Sequence, residues 1–186
     1  MVTYIESHDE ERVIYKALNY GNSTGNYNVK NLNTSLERLK SAGSIFFLLP
    51  GPKMIWQFGE IGYDISIDYN GRLGRKPIKW NYLEELNRKN IYNTWSYLIG
   101  LRKKYSIFSD PQSKIDTWLN SSIKKIQYSL GEENAILITN FDVKTLQTSV
   151  SLPRDGHWYH ATLGEKIYIE NNELDVSIPA GTFLLI

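Results

Sequence analysis

A short apolar stretch that stops abruptly in a polar, acidic cluster occurs twice in this chain, with a helical stretch between. The first runs through Tyr4-Ile5 into Glu6-Ser7-His8-Asp9-Glu10-Glu11-Arg12. The second is Met54-Ile55-Trp56-Gln57-Phe58, leading into Gly59-Glu60-Ile61-Gly62-Tyr63-Asp64. Residues 2–6 and 54–58 therefore read as short buried strands with polar ends. Between them, Thr34 and Glu37 have the spacing of a capping box, with Thr34 at the N-cap. Leu36, Leu39, Gly43, Phe46 and Phe47 follow at helical spacing until Pro50-Gly51-Pro52 stops the helix. Strand, helix and strand within about fifty residues define a βαβ unit and a parallel sheet. In such a sheet the side chains just past the strand ends share one edge.

Residues 20–33 are polar and rich in Asn and Gly, and read as a long loop, a common seat of function. Residues 64–80 are loop-like as well, and Ile91, Trp95, Leu98, Ile99 and Arg102 mark a helix to about Tyr105. Its end carries Arg102-Lys103-Lys104, which suits the negative end of the helix dipole. The texture changes at Ser109-Asp110-Pro111. Beyond it, seven β-rich runs (123–130, 135–141, 145–152, 158–162, 166–169, 173–178 and 182–186) alternate with turns such as Gly131-Glu132-Glu133-Asn134 and Asp155-Gly156. This is the pattern of an all-β sandwich. The predicted division is residues 1–108 and 109–186.

Charge is balanced, with 21 basic and 20 acidic residues, and no basic run supports a nucleic-acid or membrane-surface partner. No apolar stretch approaches the length of a membrane span. Without cysteine, disulfides and thiolate metal sites are excluded. His157 and His160 are three apart in a strand and point to opposite faces, so no metal site is read there.

Four collinear stretches resemble the alpha-amylase family of glycoside hydrolases. Glu6-Ser7-His8-Asp9 is similar to that family's F-x-E-N-H-D strand end, with Ser7 where Asn is usual. Residues 50–62, from Pro50-Gly51 to Gly59-Glu60-Ile61-Gly62, resemble its P-G-x-x-x-x-x-x-G-x-E-x-G region, with Gln57-Phe58-Gly59 in place of the more frequent Y-x-G. Leu98-Ile99-Gly100-Leu101-Arg102-Lys103 resembles the last barrel helix. Asn140-Phe141 and Pro179-Ala180-Gly181-Thr182-Phe183 resemble marks of the C-terminal Greek-key domain.

The resemblance implies a mixed fold, α/β followed by all-β. The last two β/α units of a (β/α)8 TIM barrel would lead into an antiparallel Greek-key β-sandwich. It also implies that the chain is the C-terminal part of a larger enzyme acting on alpha-1,4-glucans. Asp9 would be the third active-site carboxylate, and His8 a ligand of the same sugar. The nucleophile and acid would lie on earlier strands, leaving this chain inactive alone. Arg12 would orient Asp9 or stand in solvent, and Glu60 would face the same barrel mouth, either behind Asp9 or, as the favoured reading, as an anchor for its loop. Trp56 reads as barrel core. No cofactor is expected in this chain, and calcium, frequent in the family, would sit in the missing part. The expected partners are an alpha-glucan and the rest of the barrel, and a quarter barrel with open strand edges is expected to self-associate. A glucan-branching transferase is the alternative parent. A stand-alone carbohydrate-binding module, with Trp158 in the binding face, is a third reading. Compartment is unreadable.

Overall fold

The computed structural model describes residues 1–186. The first half runs β1 (Thr3–Tyr4), α1 (Val13–Tyr20), β2 (Ser23–Thr24), β3 (Tyr27–Asn28), α2 (Leu32–Leu48), β4 (Lys53–Met54) and α3 (Leu86–Lys104). Single 3-10 turns stand at Gly59–Ile61, Trp80–Glu84 and Ser106–Phe108. As the βαβ pattern requires, β4 lies parallel to β1, with Thr3 opposite Lys53 and Tyr4 opposite Met54.

Both strands are only two residues long and are not buried, unlike the predicted five-residue core strands: Val2, Tyr4 and Ile55 are exposed. Parallel strands are held by neighbours on each side and cover on each face, and each of these has one neighbour. Past Met54 the backbone leaves the extended region, because Phe58 (φ 63°) and Gly62 (φ 68°) adopt left-handed conformations around the Gly59–Ile61 turn. A Cβ on Gly62 would run into the Leu36 side chain.

The α2 N-cap is Asn31, not Thr34. Its side-chain oxygen accepts from the Asn33 and Thr34 amides at 3.0 and 3.4 Å. Glu37 bonds Lys40 instead of closing a capping box. Asn outranks Thr as a cap. The start is also fixed from outside the helix: the β2–β3 hairpin occupies the predicted loop, and Val29 N–H donates to Asn22 C=O at 3.0 Å. Helix α1, which the sequence reading did not assign, buries Ile14 against α2.

Helices α2 and α3 pack through Trp95, whose indole meets Phe47 edge-on at 5.0 Å and whose Nε1 donates to Leu39 C=O at 3.3 Å. The indole lies so close over Gly43 that no Cβ fits there. Arg102 does not serve the end of its own helix. It reaches across to the carbonyls of Phe47, Leu49 and Gly51, and so satisfies the C-terminus of α2.

The second half contains β5 (Lys114–Trp118), β6 (Ile123–Leu130), β7 (Glu133–Asn140), β8 (Leu146–Ser151), β9 (Gly156–His160), β10 (Glu165–Ile169), β11 (Glu173–Ile178) and β12 (Phe183–Leu185). Every predicted strand is present, and β5 is additional. The strands form small antiparallel sheets: one of four strands in the order β12-β7-β6-β5, and the ribbons β8–β11 and β9–β10. The alternation of side chains along β7 divides the core. Leu137 joins Leu36, Phe47, Ile91, Trp95 and Leu98 in a cluster shared with the helices. Ile136 and Ile138 face the other way, onto Val150, Trp158, Ile169 and Ile178. Helical and β halves thus share the first of these two clusters, while the second belongs to the strands alone. Arg38 on α2 adds polar ties to the carbonyls of Phe141 and Asp142 at 2.8 and 3.0 Å.

Candidate functional site

The end of β1 is organised from beneath by a buried ion pair. Glu6 Oε1 lies 2.9 Å from Arg12 Nη2, and both side chains are nearly inaccessible. Glu6 Oε2 also accepts from Val13 N–H at 2.9 Å. Arg12 donates to Gln57 C=O at 2.6 Å and sits 4.7 Å over the Tyr63 ring. One guanidinium therefore joins the end of β1 to the segment after β4. Burial pushes the Glu6 carboxyl above its ordinary value, with Arg12 and the Val13 amide pulling it partly back. Burial lowers Arg12, opposed by Glu6.

Above this pair, the Ser7 hydroxyl donates to Glu10 and accepts from Asp9 N–H at 3.1 Å. That local turn holds the Glu10 carboxyl below its usual range and lifts His8 and Asp9 to the surface. His8 Nε2 lies 3.3 Å from Asp9 Oδ2, and its ring is 5.6 Å from that of Trp56. Arg72 arrives from the opposite side, donating to Asp9 C=O at 2.6 Å, with Asp9 Oδ1 at 3.9 Å.

Two residues fix the 64–80 loop that carries Arg72. Glu11 accepts from Ser66 Oγ at 2.7 Å and from Ile67 N–H at 2.9 Å, tying the loop to the His8–Asp9 turn. Lys76 Nζ donates to the carbonyls of Tyr69, Gly71 and Gly74 at 2.9, 2.7 and 3.0 Å. The resulting cleft, about 170 Å³, is lined by Ser7, His8, Trp56, Tyr63, Arg72 and Lys76 among others.

His8 lines this cleft, and Asp9 follows it on the same exposed turn without forming part of the lining. Arg12 does not reach Asp9. It lies below, paired to Glu6, because a carboxylate buried beside it neutralises the guanidinium where a solvent-exposed one would not. Glu60 does not face this cleft. The 3-10 turn directs it to a separate cavity of about 440 Å³, alongside Trp80, Tyr92 and Ser96. Trp56 is not core; it is half-buried beside His8. Sequence reasoning missed Glu6, Glu11, Arg72 and Lys76. Glu6 carried a usable signal, being an acid placed in the apolar phase of a strand.

No group of three or more His, Asp or Glu side chains is placed to hold a metal ion. His157 packs against Tyr168, and His160 Nδ1 bonds Thr162 Oγ1 at 3.1 Å.

No protein-family model matches the sequence, and no curated protein matches it. Solved structures do. The chain is similar to the alpha-amylase from Geobacillus thermoleovorans complexed with acarbose, with a TM-score of 0.73 and 14% identity, over 100% of this chain and 38% of that one. It is similar to AmyP in complex with maltose, with a TM-score of 0.68 and 14% identity, over 99% of this chain and 40% of that one. A debranching enzyme from Nostoc punctiforme gives 0.63 and 16%, over 99% and 33%. The chain thus has the fold of part of an alpha-amylase-type enzyme, and it spans about 33–40% of the length of these relatives.

Proposed function

We propose that this chain is the C-terminal part of an alpha-amylase-type retaining glycoside hydrolase acting on alpha-1,4-linked glucans. In this reading β1 and β4 are the last two strands of a (β/α)8 barrel, and residues 109–186 are its Greek-key C-terminal domain. The observation that carries the reading is the cleft at the C-terminal end of the parallel pair, where active sites of such barrels sit. There His8, Trp56 and Arg72 line the cleft, and the exposed Asp9 stands next to them, within 3.3 Å of His8 and bonded through its carbonyl to Arg72.

Retaining glycosidases use one carboxylate as nucleophile and one carboxylic acid as proton donor, through an oxocarbenium-like transition state. Both would come from strands outside these residues, so the chain alone is expected to be inactive. Asp9 would accept hydrogen bonds from ring hydroxyls of the sugar being cleaved. Those bonds strengthen as positive charge develops on the ring, which lowers the barrier rather than merely tightening binding. His8 would hold the same sugar, with Trp56 beside it. Calcium, where the parent needs it, would be bound outside this chain.

The test is the full-length parent assayed on starch and maltooligosaccharides. Asp9→Ala should lower kcat by about 10²–10³, the scale for loss of one transition-state contact, with a much smaller change in KM. A kcat within threefold of the parent's would refute the role of Asp9. The similarity to a debranching enzyme keeps branch-point chemistry as a second reading, and product analysis separates chain hydrolysis from branch transfer or branch cleavage.

A further inference from the structure

The half-buried Lys76 folds back onto the loop that precedes it. Its Nζ donates to the carbonyls of Tyr69, Gly71 and Gly74 at 2.9, 2.7 and 3.0 Å, and the Arg72 carbonyl stands at 3.3 Å. Four acceptors thus converge on a group with three protons. None of the chain's ion pairs includes this ammonium, so no carboxylate neutralises it. A surface lysine ordinarily keeps its strongly hydrated head in water. Here backbone oxygens take the place of that water. The loop is shaped to supply them. Asn70 (φ 57°) and Gly71 (φ 76°) are both left-handed, a conformation that Asn and Gly tolerate, and the turn they make brings the carbonyls on either side to one spot. The chain then passes so close to this turn that a Cβ on Gly74 would collide with the Asn70 carbonyl oxygen. Carbonyl dipoles aimed at one point repel each other unless a cation sits among them.

We propose that residues 69–74 form a binding site for a monovalent cation, which the chain fills with its own Lys76 ammonium. The donors decide the class of ion. All four are neutral carbonyls, and calcium sites draw on carboxylates to offset the ion's charge. The contacts of 2.7–3.3 Å are also longer than the roughly 2.3–2.6 Å that calcium takes. They suit ammonium, or potassium, whose hydration shell is replaced by backbone carbonyls in selectivity filters. Lys76 is then a positioning residue. By neutralising the carbonyls it holds the turn that carries Arg72, whose guanidinium reaches Asp9 C=O at 2.6 Å. Glu11 does not duplicate this work, because it grips only the start of the loop, at Ser66 and Ile67. A cation tethered to the chain cannot be diluted or exchanged, so the order of this loop is independent of the salt around it.

The test uses the 186-residue chain with Lys76→Ala and, to keep the apolar stem, Lys76→Met. Hydrogen exchange over residues 67–76 is followed by mass spectrometry. The amides of Gly71 and Gly74 report the order of the turn, since they donate to the carbonyls of Asp68 and Gly71 at 2.9 Å each. In tetramethylammonium chloride, whose bulky cation has no N–H, this segment should exchange about tenfold faster in both variants than in the unsubstituted chain, the scale of losing a hydrogen bond to a charged group. Potassium chloride or n-propylammonium chloride at the same ionic strength, about 0.15 M, should restore most of that protection in Lys76→Ala and leave the unsubstituted chain unchanged. Urea midpoints separate this local loosening from global unfolding and should stay close together. Unchanged exchange in both variants, or faster exchange that neither cation reverses, would overturn the proposal. Recovery in calcium chloride alone would overturn the assignment to a monovalent ion. The readout is the loop itself, so it stands or falls separately from the catalytic reading.

Discussion

Replacing Arg12 with methionine tests whether the Glu6–Arg12 pair holds the candidate site together. Methionine keeps much of the apolar stem of the side chain without its charged head. It deletes the 2.9 Å contact to Glu6, the bond to Gln57 C=O and the stack on Tyr63. Breaking a buried pair by removing one partner costs about 3–5 kcal/mol, because the other charge stays uncompensated. Glu6 has an escape: it can take up a proton. Its carboxyl is already raised by burial in the intact protein, and loss of Arg12 removes the strongest force pulling it down. A carboxyl raised on folding binds its proton more tightly folded than unfolded. Its contribution to stability therefore grows as pH falls through the folded value, and is lost as pH rises through it. The penalty in Arg12→Met should be full at pH 7.5 and shrink by up to about 1.4 kcal/mol per pH unit across the window above the ordinary glutamate value. Glu6→Gln leaves the opposite orphan. Arginine cannot shed its proton in a protein, so that penalty should hold steady between pH 5 and pH 7.5. The double variant Glu6→Gln/Arg12→Met retains an acceptor for Val13 N–H and should recover most of the loss. Urea unfolding of the four proteins at both pH values gives these energies. Equal pH dependence in the two single variants, or a cost for Arg12→Met below about 0.5 kcal/mol at pH 7.5, would refute the reasoning.

Two further outcomes follow from features that the fold makes visible. Asn31→Ala should destabilise the chain by about 1 kcal/mol in urea unfolding, through loss of the α2 cap, while Thr34→Ala should change stability by no more than about 0.5 kcal/mol. Tyr128 is fully buried against Phe108, its hydroxyl has no partner, and burial raises its pKa. Tyr128→Phe should therefore stabilise the chain by about 1 kcal/mol, since an unsatisfied buried hydroxyl costs about 1–3 kcal/mol.

What could be read from the sequence was governed by how far apart along the chain the deciding partners lie. Alternation within a strand is local, so the seven predicted β runs are all strands. The exception, β5, carries Lys114, Asp116 and Thr117 among its five residues and has little apolar signal to read. The Ser7–Asp9 turn is local too, and it delivers His8 and Asp9 to the surface together. The cap of α2 misled because a plausible local box at Thr34 and Glu37 competed with a start fixed by the β2–β3 hairpin. Nothing in the spacing of Arg12 reveals that its acceptor is Gln57, forty-five residues on, or that Asp9 will be met by Arg72, sixty-three residues on.

That division has a physical consequence for the site. The residues that would touch sugar, His8 and Asp9, sit on a turn whose hydrogen bonds are local, and which confers little rigidity on its own. Their placement comes instead from long-range polar ties that cost desolvation to form: the buried Glu6–Arg12 pair beneath, and Glu11 and Lys76 binding the 64–80 loop beside them. A carboxylate that must meet ring hydroxyls as charge develops gains from a frame fixed before substrate arrives, because no reorganisation is then needed at the transition state. Asp9 is held by a network that spans both strand ends, as chemistry demands.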